Sequence, residues 1–553
     1  MHKMKKWKPY ADTIIKNAKI YTVDIDISQI KKGNYTFPVI ENGYIAIKNG
    51  KIIALGEEWD ETLAGIETEI VDVKGKTVIP GLIDSHMHAM KAGLAMKFIN
   101  CSTCTSLDDM LARIRNRVAK EPKNGWLRAA AFNELSWADG SRPDCKSLDS
   151  VTGEHPFIAA RLCGHVIVAN SKAMEIAGIT KETPDPQGGT IGRDENGELT
   201  GWFYEPAAME LVDRYYPKPE EKEFIEAITD IGKYMNSVGL TSVIDCNLDF
   251  EETRSYSVAL QQDKLNYRAN VSFYMDKAWG DVDYHLNRLH EMMAVTNFGN
   301  DMLKFNGVKI LFDGIPASGT AYMRKNYKHM PNTRGFTTIT GEELKQIATA
   351  AAEDHWQMAV HAIGDAAMDL VLEAYEKAAE THDISQNRNY IIHAVFPRED
   401  MLPKFKKLDV AVTLQPTIMG CMGEETVLDE VDGEVNQPAG WYFKNGIICG
   451  GSTDCPVVDC NPFLGMSKAI SRVCMDGKVH GPQNCVTSQQ ALIMWTMNSA
   501  YLCSAEQTIG SIAVGKYADL VVIDTPILEV DAETIAKTSV EQTFLGGKLV
   551  YSR

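Results

Sequence analysis

The sequence predicts an α/β chain built around an eight-stranded barrel, and two observations lead to that class. Eight apolar, strand-like runs recur along the middle of the chain: VIPGLIDSH, TSVIDCN, RANVSFY, FNGVKILFDG, QMAVHAIGD, NYIIHAV, VAVTLQP and IICGGSTD. Helical stretches fill most of the intervals, as in ELKQIATAAAEDH and AAMDLVLEAYEKAAE, whose apolar positions recur at helix spacing. Near-continuous apolar strands alternating with amphipathic helices indicate a parallel sheet covered by helices, and eight of them suggest closure into a TIM-like (β/α)8 barrel.

The elements outside the barrel follow in order. The amino-terminal segments ADTIIKNAKIYTVD and YIAIKNGKIIALG are β-rich, and Asn49-Gly50 supplies the dipeptide favoured in a two-residue hairpin turn. The carboxyl-terminal segments SIAVGKYADLVVID and TSVEQTFLGGKLVYSR return to the same style. Both ends therefore predict one small composite β-sandwich domain, residues 1–78 with 508–553, around a barrel domain spanning 79–507. The interval from Ala89 to Gly239, between the first and second barrel runs, is too long for one crossover. It carries its own strands, WLRAAAF and PFIAARLC, and a hairpin, GGTIGRDENGELTGWFYE, turning at Asn196-Gly197. An inserted α/β lobe at about 100–225, lying over the barrel mouth, is the expectation.

Composition narrows the function classes. The 553 residues are 44% hydrophobic and 24% charged, which allows a large core and is unlike a disordered or fibrous chain. A net charge of −18 argues against a nucleic-acid partner, because phosphate binding draws on clustered Lys and Arg. No run is long and apolar enough to cross a bilayer, and the basic start lacks the apolar core of a signal peptide. The expectation is a cytoplasmic protein with no membrane partner and reduced thiols. Twelve cysteines spread along a chain this long do not form a disulfide framework, and the Cys101/Cys104 pair lacks the second pair of a zinc ribbon.

Five of the eight runs end in, or contain, a polar residue suited to metal chemistry. His86-Met87-His88 closes the first; residues two apart on a strand share a face, so both imidazoles can reach one ion. Lys309 lies inside the fourth, where an unpaired amine would be costly. His361 ends the fifth, His393 the sixth and Asp454 the eighth. Taken singly, each has a structural explanation: a satisfied core histidine, a paired lysine, a capping aspartate. Together they place six polar groups from five strands at the barrel end where active sites are built, and a shared metal site is the better account.

These motifs carry a resemblance. VIPGLIDSHMH, GHVIVANSKAMEIAGI, GGTIGRDENGELTG, VKILFDG, VHAIGD, IIHA, GGSTDCPV and GSIAVGKYADLVVID together resemble the amidohydrolase superfamily, and specifically amidohydrolase family 3, the branch with N-substituted formamide deformylase-like proteins. The resemblance implies that His86, His88 and Asp454 hold one divalent ion and that His361 and His393 hold a second. It implies that Lys309 bridges the two after N6-carboxylation by carbon dioxide, with zinc as the expected metal. The implied reaction is hydrolysis of a C–N bond in a small amide or formamide by a metal-bridging hydroxide. Asp454 then acts as the proton carrier.

Other conspicuous positions divide between substrate and structure. His165, in GHVIVANSKA, is a candidate for hydrogen-bonding substrate, balanced against a structural role. Asp365 sits where a helix N-cap belongs. Asp313 and Gly314 either join the site or turn the chain, and Trp137 and Trp202 either line a pocket or pack. Two other functions compete: a mononuclear deaminase of a heterocyclic amine, against which Lys309 weighs, and a non-catalytic small-molecule sensor, against which the complete residue set weighs. A homodimer is the default assembly.

Overall fold

The computed structural model describes residues 10–553 except 122–124, 163–165, 187–188, 276–279, 293, 317–318, 329, 422–435 and 475–476. The chain divides into two compact units, residues 1–90 with 228–553 and residues 91–227.

In the first unit both chain ends build one eight-stranded sheet. Its strands are β1 (Thr13–Tyr21), β2 (Val39–Lys48), β3 (Lys51–Gly56), β4 (Glu69–Asp72) and β5 (Thr77–Pro80) from the amino end. The carboxyl end adds Leu520–Ile523, Val540–Leu545 and Lys548–Ser552. The β2–β3 turn forms at Asn49-Gly50, with φ 51° and 76°, the left-handed values a two-residue hairpin turn needs.

A single residue, Gly81, separates β5 from β6 (Leu82–Met87), the first barrel strand. The second unit holds the next six strands: β7 (Ile99–Asn100), β8 (Leu127–Phe132), β9 (Phe157–Arg161), β10 (Val166–Ala169), β11 (Thr190–Arg193) and β12 (Leu199–Tyr204). They form one sheet in the order β11-β12-β10-β9-β8-β7. The hairpin joining β11 and β12 turns through Gly197 at φ 80°. In the segment GHVIVANSKAMEIAGI, the described part is β10 followed by a short helix, Ser171–Ile176. Asn170 joins them: its carboxamide accepts from Phe157 N and Ala173 N and donates to Thr152 Oγ1 and the His155 carbonyl.

Seven more parallel strands complete the barrel: β13 (Leu240–Leu248), β14 (Arg268–Tyr274), β15 (Leu303–Leu311), β16 (Met358–Ala362), β17 (Tyr390–His393), β18 (Ala411–Leu414) and β19 (Cys449–Gly451). With β6 they make a nearly closed, all-parallel sheet of eight strands. Each of the eight apolar runs of the sequence is one of these strands. Two long helices show how the outer layer is attached. Gly341–Glu353 starts with a capping box made by Thr340 and Glu343. Asp365–Ala379 buries Met368, Val371, Leu372 and Tyr375, a stripe at helix spacing, and the Tyr375 hydroxyl lies 3.2 Å from the Met358 and Tyr390 carbonyls of β16 and β17.

Among the described residues no helix is long and apolar enough to cross a membrane, and no disulfide joins the described cysteines.

Candidate metal centre

The parallel strands bring their carboxyl ends to one side of the barrel, and local hydrogen bonds then aim the side chains. The Asp454 N–H donates to the His86 carbonyl at 2.9 Å, and the His88 N–H donates to the Cys455 carbonyl at 2.8 Å. These two bonds stitch the end of β6 to the segment after β19. Asp84, two residues before His86 on the same strand, reinforces the seam. Its carboxylate accepts from His86 N (3.0 Å), Thr453 N (3.3 Å) and Thr453 Oγ1 (2.6 Å). Burial pushes Asp84 up to about 7.

The seam sets the Asp454 carboxylate between the first two imidazoles. Its Oδ1 lies 3.2 Å from His86 Nε2 and 3.1 Å from His88 Nε2. The histidine rings continue edge to face around the barrel: centroids are 5.2 Å apart for His86 and His88, 5.4 Å for His86 and His393, and 4.4 Å for His361 and His393. Ligand-capable atoms of His86, His393 and Asp454 all lie within 4.8 Å of one another. Lys309, 1% exposed in β15, is close enough for its charge to act on His86, His361 and His393.

Electrostatics leave the set ready to donate lone pairs. Burial, with the positive Lys309 adding to it, holds His86 well below the usual imidazole range. Burial does the same to His361, helped by His393 and Lys309, and brings His393 down to about 4. Burial opposes ionisation of Asp454, but the two imidazoles beside it outweigh that and keep its carboxyl well below the carboxylate norm. Neutral imidazoles around an ionised carboxylate are the donor set of a zinc-class cation. His86 Nδ1 and Asp454 Oδ1 are buried without an aligned hydrogen-bond partner, a costly arrangement that a bound cation nearby would relieve. The backbone is strained at the same place: His393, Ala394 and Asp454 have φ of 73°, 41° and 61°, a region that disfavours side chains other than glycine. The residues present fit a metal.

A second group of residues holds the first. Asp313, 1% exposed, accepts from the N–H groups of Ile363 (3.0 Å), Gly364 (2.9 Å) and Tyr322 (3.0 Å), and its Oδ1 lies 3.5 Å from His361 Nε2. It therefore both turns the chain and faces the site. Gly364 is required by close approach, since a Cβ there would sit 2.0 Å from the Tyr322 carbonyl oxygen. The cap assignment of Asp365 is corrected: Gly364 is the N-cap and Asp365 opens the helix. Its carboxylate is drawn instead to Arg324 N at 2.7 Å and to the Arg398 guanidinium at 2.8 Å.

In the second unit Trp137 and Trp202 serve packing, their indole N–H groups donating to the Cys104 and Pro143 carbonyls. Cys101 and Cys104 belong to the same core, and burial pushes the Cys101 thiol up to about 12, which keeps it protonated. His165 lies outside the described residues. Sequence reasoning missed Asp84 and Gln415 altogether. Asp84 had a signal, its place two residues before His86 on the same strand face; Gln415 had none, because its partners are remote in the chain.

Comparison with known proteins gives the family and the fold. Residues 69–551 match the amidohydrolase family. A putative amidohydrolase, YtcJ, of Bacillus subtilis is 28% identical over 94% of this chain and 99% of its own length. The N-substituted formamide deformylase of Arthrobacter pascens is 27% identical, covering 98% of each chain. Among solved structures, an uncharacterised metal-dependent hydrolase from Pyrococcus furiosus superposes with a TM-score of 0.74 over 94% of this chain and all of its own, at 23% identity, a likeness of fold. This chain belongs to the amidohydrolase family.

Proposed function

We propose that this chain is a metal-dependent hydrolase that cleaves the C–N bond of a small amide or N-substituted formamide. The observation that carries the reading is the convergence of four neutral-capable imidazoles, one ionised carboxylate and one buried lysine at the carboxyl end of the barrel. His86, His88 and Asp454 would hold one ion, and His361 and His393 a second. Lys309, once carboxylated, would lie between them as an anionic oxygen donor. Zinc suits these nitrogen and oxygen donors. When bound, the ions supply an activated water and a Lewis acid for the substrate carbonyl.

The chain's own residues do the rest. Asp454 Oδ1, ionised and beside His86 and His88, is placed to take a proton from the attacking water and pass it to the leaving nitrogen. Asp84 and Asp313 hold the strand ends that carry His86 and His361. The substrate class leans on the Arthrobacter relative's name together with its full-length match. We also propose a cytoplasmic location and, as the default assembly of a soluble enzyme, a homodimer. It also treats the terminal sheet, which has a separate apolar cluster around Ile14, Tyr44 and Ala46 beside its main one, as a sandwich domain.

Elemental analysis of the purified protein beside a Lys309→Ala variant tests the site, and a screen of amides and N-substituted formamides tests the substrate. About two ions per chain, falling sharply in the variant, support the reading. A mononuclear deaminase is the second reading, favoured by the tight His86, His393 and Asp454 cluster; one ion, unchanged in the variant, would select it. No metal under metal-replete conditions rejects both.

A further inference from the structure

One hydrogen-bonded network behind the candidate metal centre has directions that can be worked out atom by atom. Gln415, fully buried just past β18, places its Oε1 2.7 Å from His393 Nδ1. Its Nε2 lies 2.8 Å from Ser452 Oγ and 3.4 Å from the Thr413 carbonyl. A carbonyl only accepts, so the amide nitrogen of Gln415 must face Thr413 and its oxygen must face His393. An amide oxygen only accepts as well. His393 therefore carries its proton on Nδ1, and its Nε2 is bare.

The surrounding hydroxyls hold Gln415 in that orientation. Ser452 Oγ donates to the Leu414 carbonyl at 2.9 Å, so it receives from Gln415 Nε2 and from Thr413 Oγ1, 2.8 Å away. Thr413 Oγ1 also lies 2.6 Å from Ser85 Oγ, whose hydroxyl faces the Gly451 carbonyl at 3.0 Å. The Gln415 backbone N–H is held by Gln437 Oε1 at 3.0 Å, and the buried Arg472 donates to the Gln437 carbonyl at 2.9 Å. Ser85 adjoins His86, and Ser452 is two residues before Asp454. One chain of bonds thus runs behind the residues at the ends of β6, β17 and β19.

The neighbouring histidine is engaged through its opposite nitrogen, with His361 Nε2 near the Gly314 carbonyl (3.4 Å) and Asp313 (3.5 Å). We propose that Gln415 is the positioning residue that fixes His393 as the Nδ1–H tautomer, so that Nε2 is presented as a ligand nitrogen beside His361. The inference rests on the metal reading above. Its physical basis is that the partner of the second ring nitrogen sets the tautomer, orientation and basicity of a ligating imidazole.

Zinc affinity by chelator competition, measured on the wild type, Gln415→Met and Gln415→Glu, tests it. Gln415→Met removes the acceptor at similar volume and should weaken zinc binding by about 10- to 100-fold. Gln415→Glu restores an acceptor toward His393 and should recover most of that loss. Nitrogen NMR of histidine-labelled, metal-free wild type, with His393 identified by its absence in His393→Gln, should show Nδ1 protonated. This spectrum decides the matter if a Gln415 variant does not fold. Zinc affinity of Gln415→Met within twofold of wild type, or a protonated Nε2 at His393, overturns the proposal. A wild type that binds no zinc but shows the Nδ1–H tautomer sinks the metal reading and leaves the tautomer assignment standing.

Discussion

The two ends of the barrel bury charge in opposite ways. At the amino ends of the strands, Arg268 opens β14 and meets Asp519 of the carboxyl-terminal segment through two bonds of 2.6 and 2.8 Å, with both side chains under 10% exposed. Its third nitrogen donates to the Asp301 carbonyl, its guanidinium stacks on Tyr517, and Asp519 also accepts from Gly546 N. Arg388 and Glu506, just before β17, repeat the pattern. At the carboxyl ends, Asp454 Oδ1 and His86 Nδ1 lack aligned partners, and His393 and Asp454 carry left-handed backbone. One end spends its polar groups on each other; the other leaves Asp454 and His86 with buried atoms that lack aligned partners. That asymmetry separates a structural buried charge from a functional one more clearly than burial does.

The comparison can be broken experimentally. The largest effect should come from Asp454→Asn, which keeps the shape but removes the proton acceptor. Turnover of a metal-loaded, active preparation should fall by about 10²- to 10⁴-fold, with KM changing far less. An equal loss in KM alone would make Asp454 a binding residue. Next, Asp519→Ala leaves Arg268 buried without its carboxylate and should cost about 3–5 kcal/mol in denaturant unfolding. Metal content per folded chain should stay unchanged, because the pair lies at the opposite strand ends. If metal is lost as well, the two ends are not independent. Chelation sharpens the contrast further: it should lower the unfolding midpoint of the wild type and barely move that of Lys309→Ala. The smallest effect has the opposite sign. In metal-free protein, Asp454→Gly relieves the φ of 61° and should stabilise by about 1 kcal/mol. A destabilised variant would show that Asp454 is a net structural asset.

Much of this was legible along the chain. Strand runs are local, and their period and apolarity report burial on both faces. Hence VIPGLIDSH to IICGGSTD could be read as eight parallel strands, and His86, His88, His361, His393 and Asp454 located at their ends. Lys309 stood out because an amine inside an apolar strand conflicts with its surroundings. Asp365 was misread because cap identity depends on the φ and ψ of Gly364, and Gly364 is held where it is by Asp313, 51 positions away in sequence.

The amino-acid order thus settles which runs are buried strands and which strand ends carry donors, since both follow from apolarity and residue type over a few positions. Only the assembled, nearly closed barrel decides what stands next to what. Asp84 reaches Thr453 across 369 positions, Ser85 reaches Thr413 across 328, and Gln415 reaches Ser452 across 37. The direction of a proton on His393 depends on the contacts that orient Gln415, to Ser452 and to the Thr413 carbonyl. It follows from carbonyls that can only accept, brought within reach by strands that are neighbours in the barrel and distant in the chain.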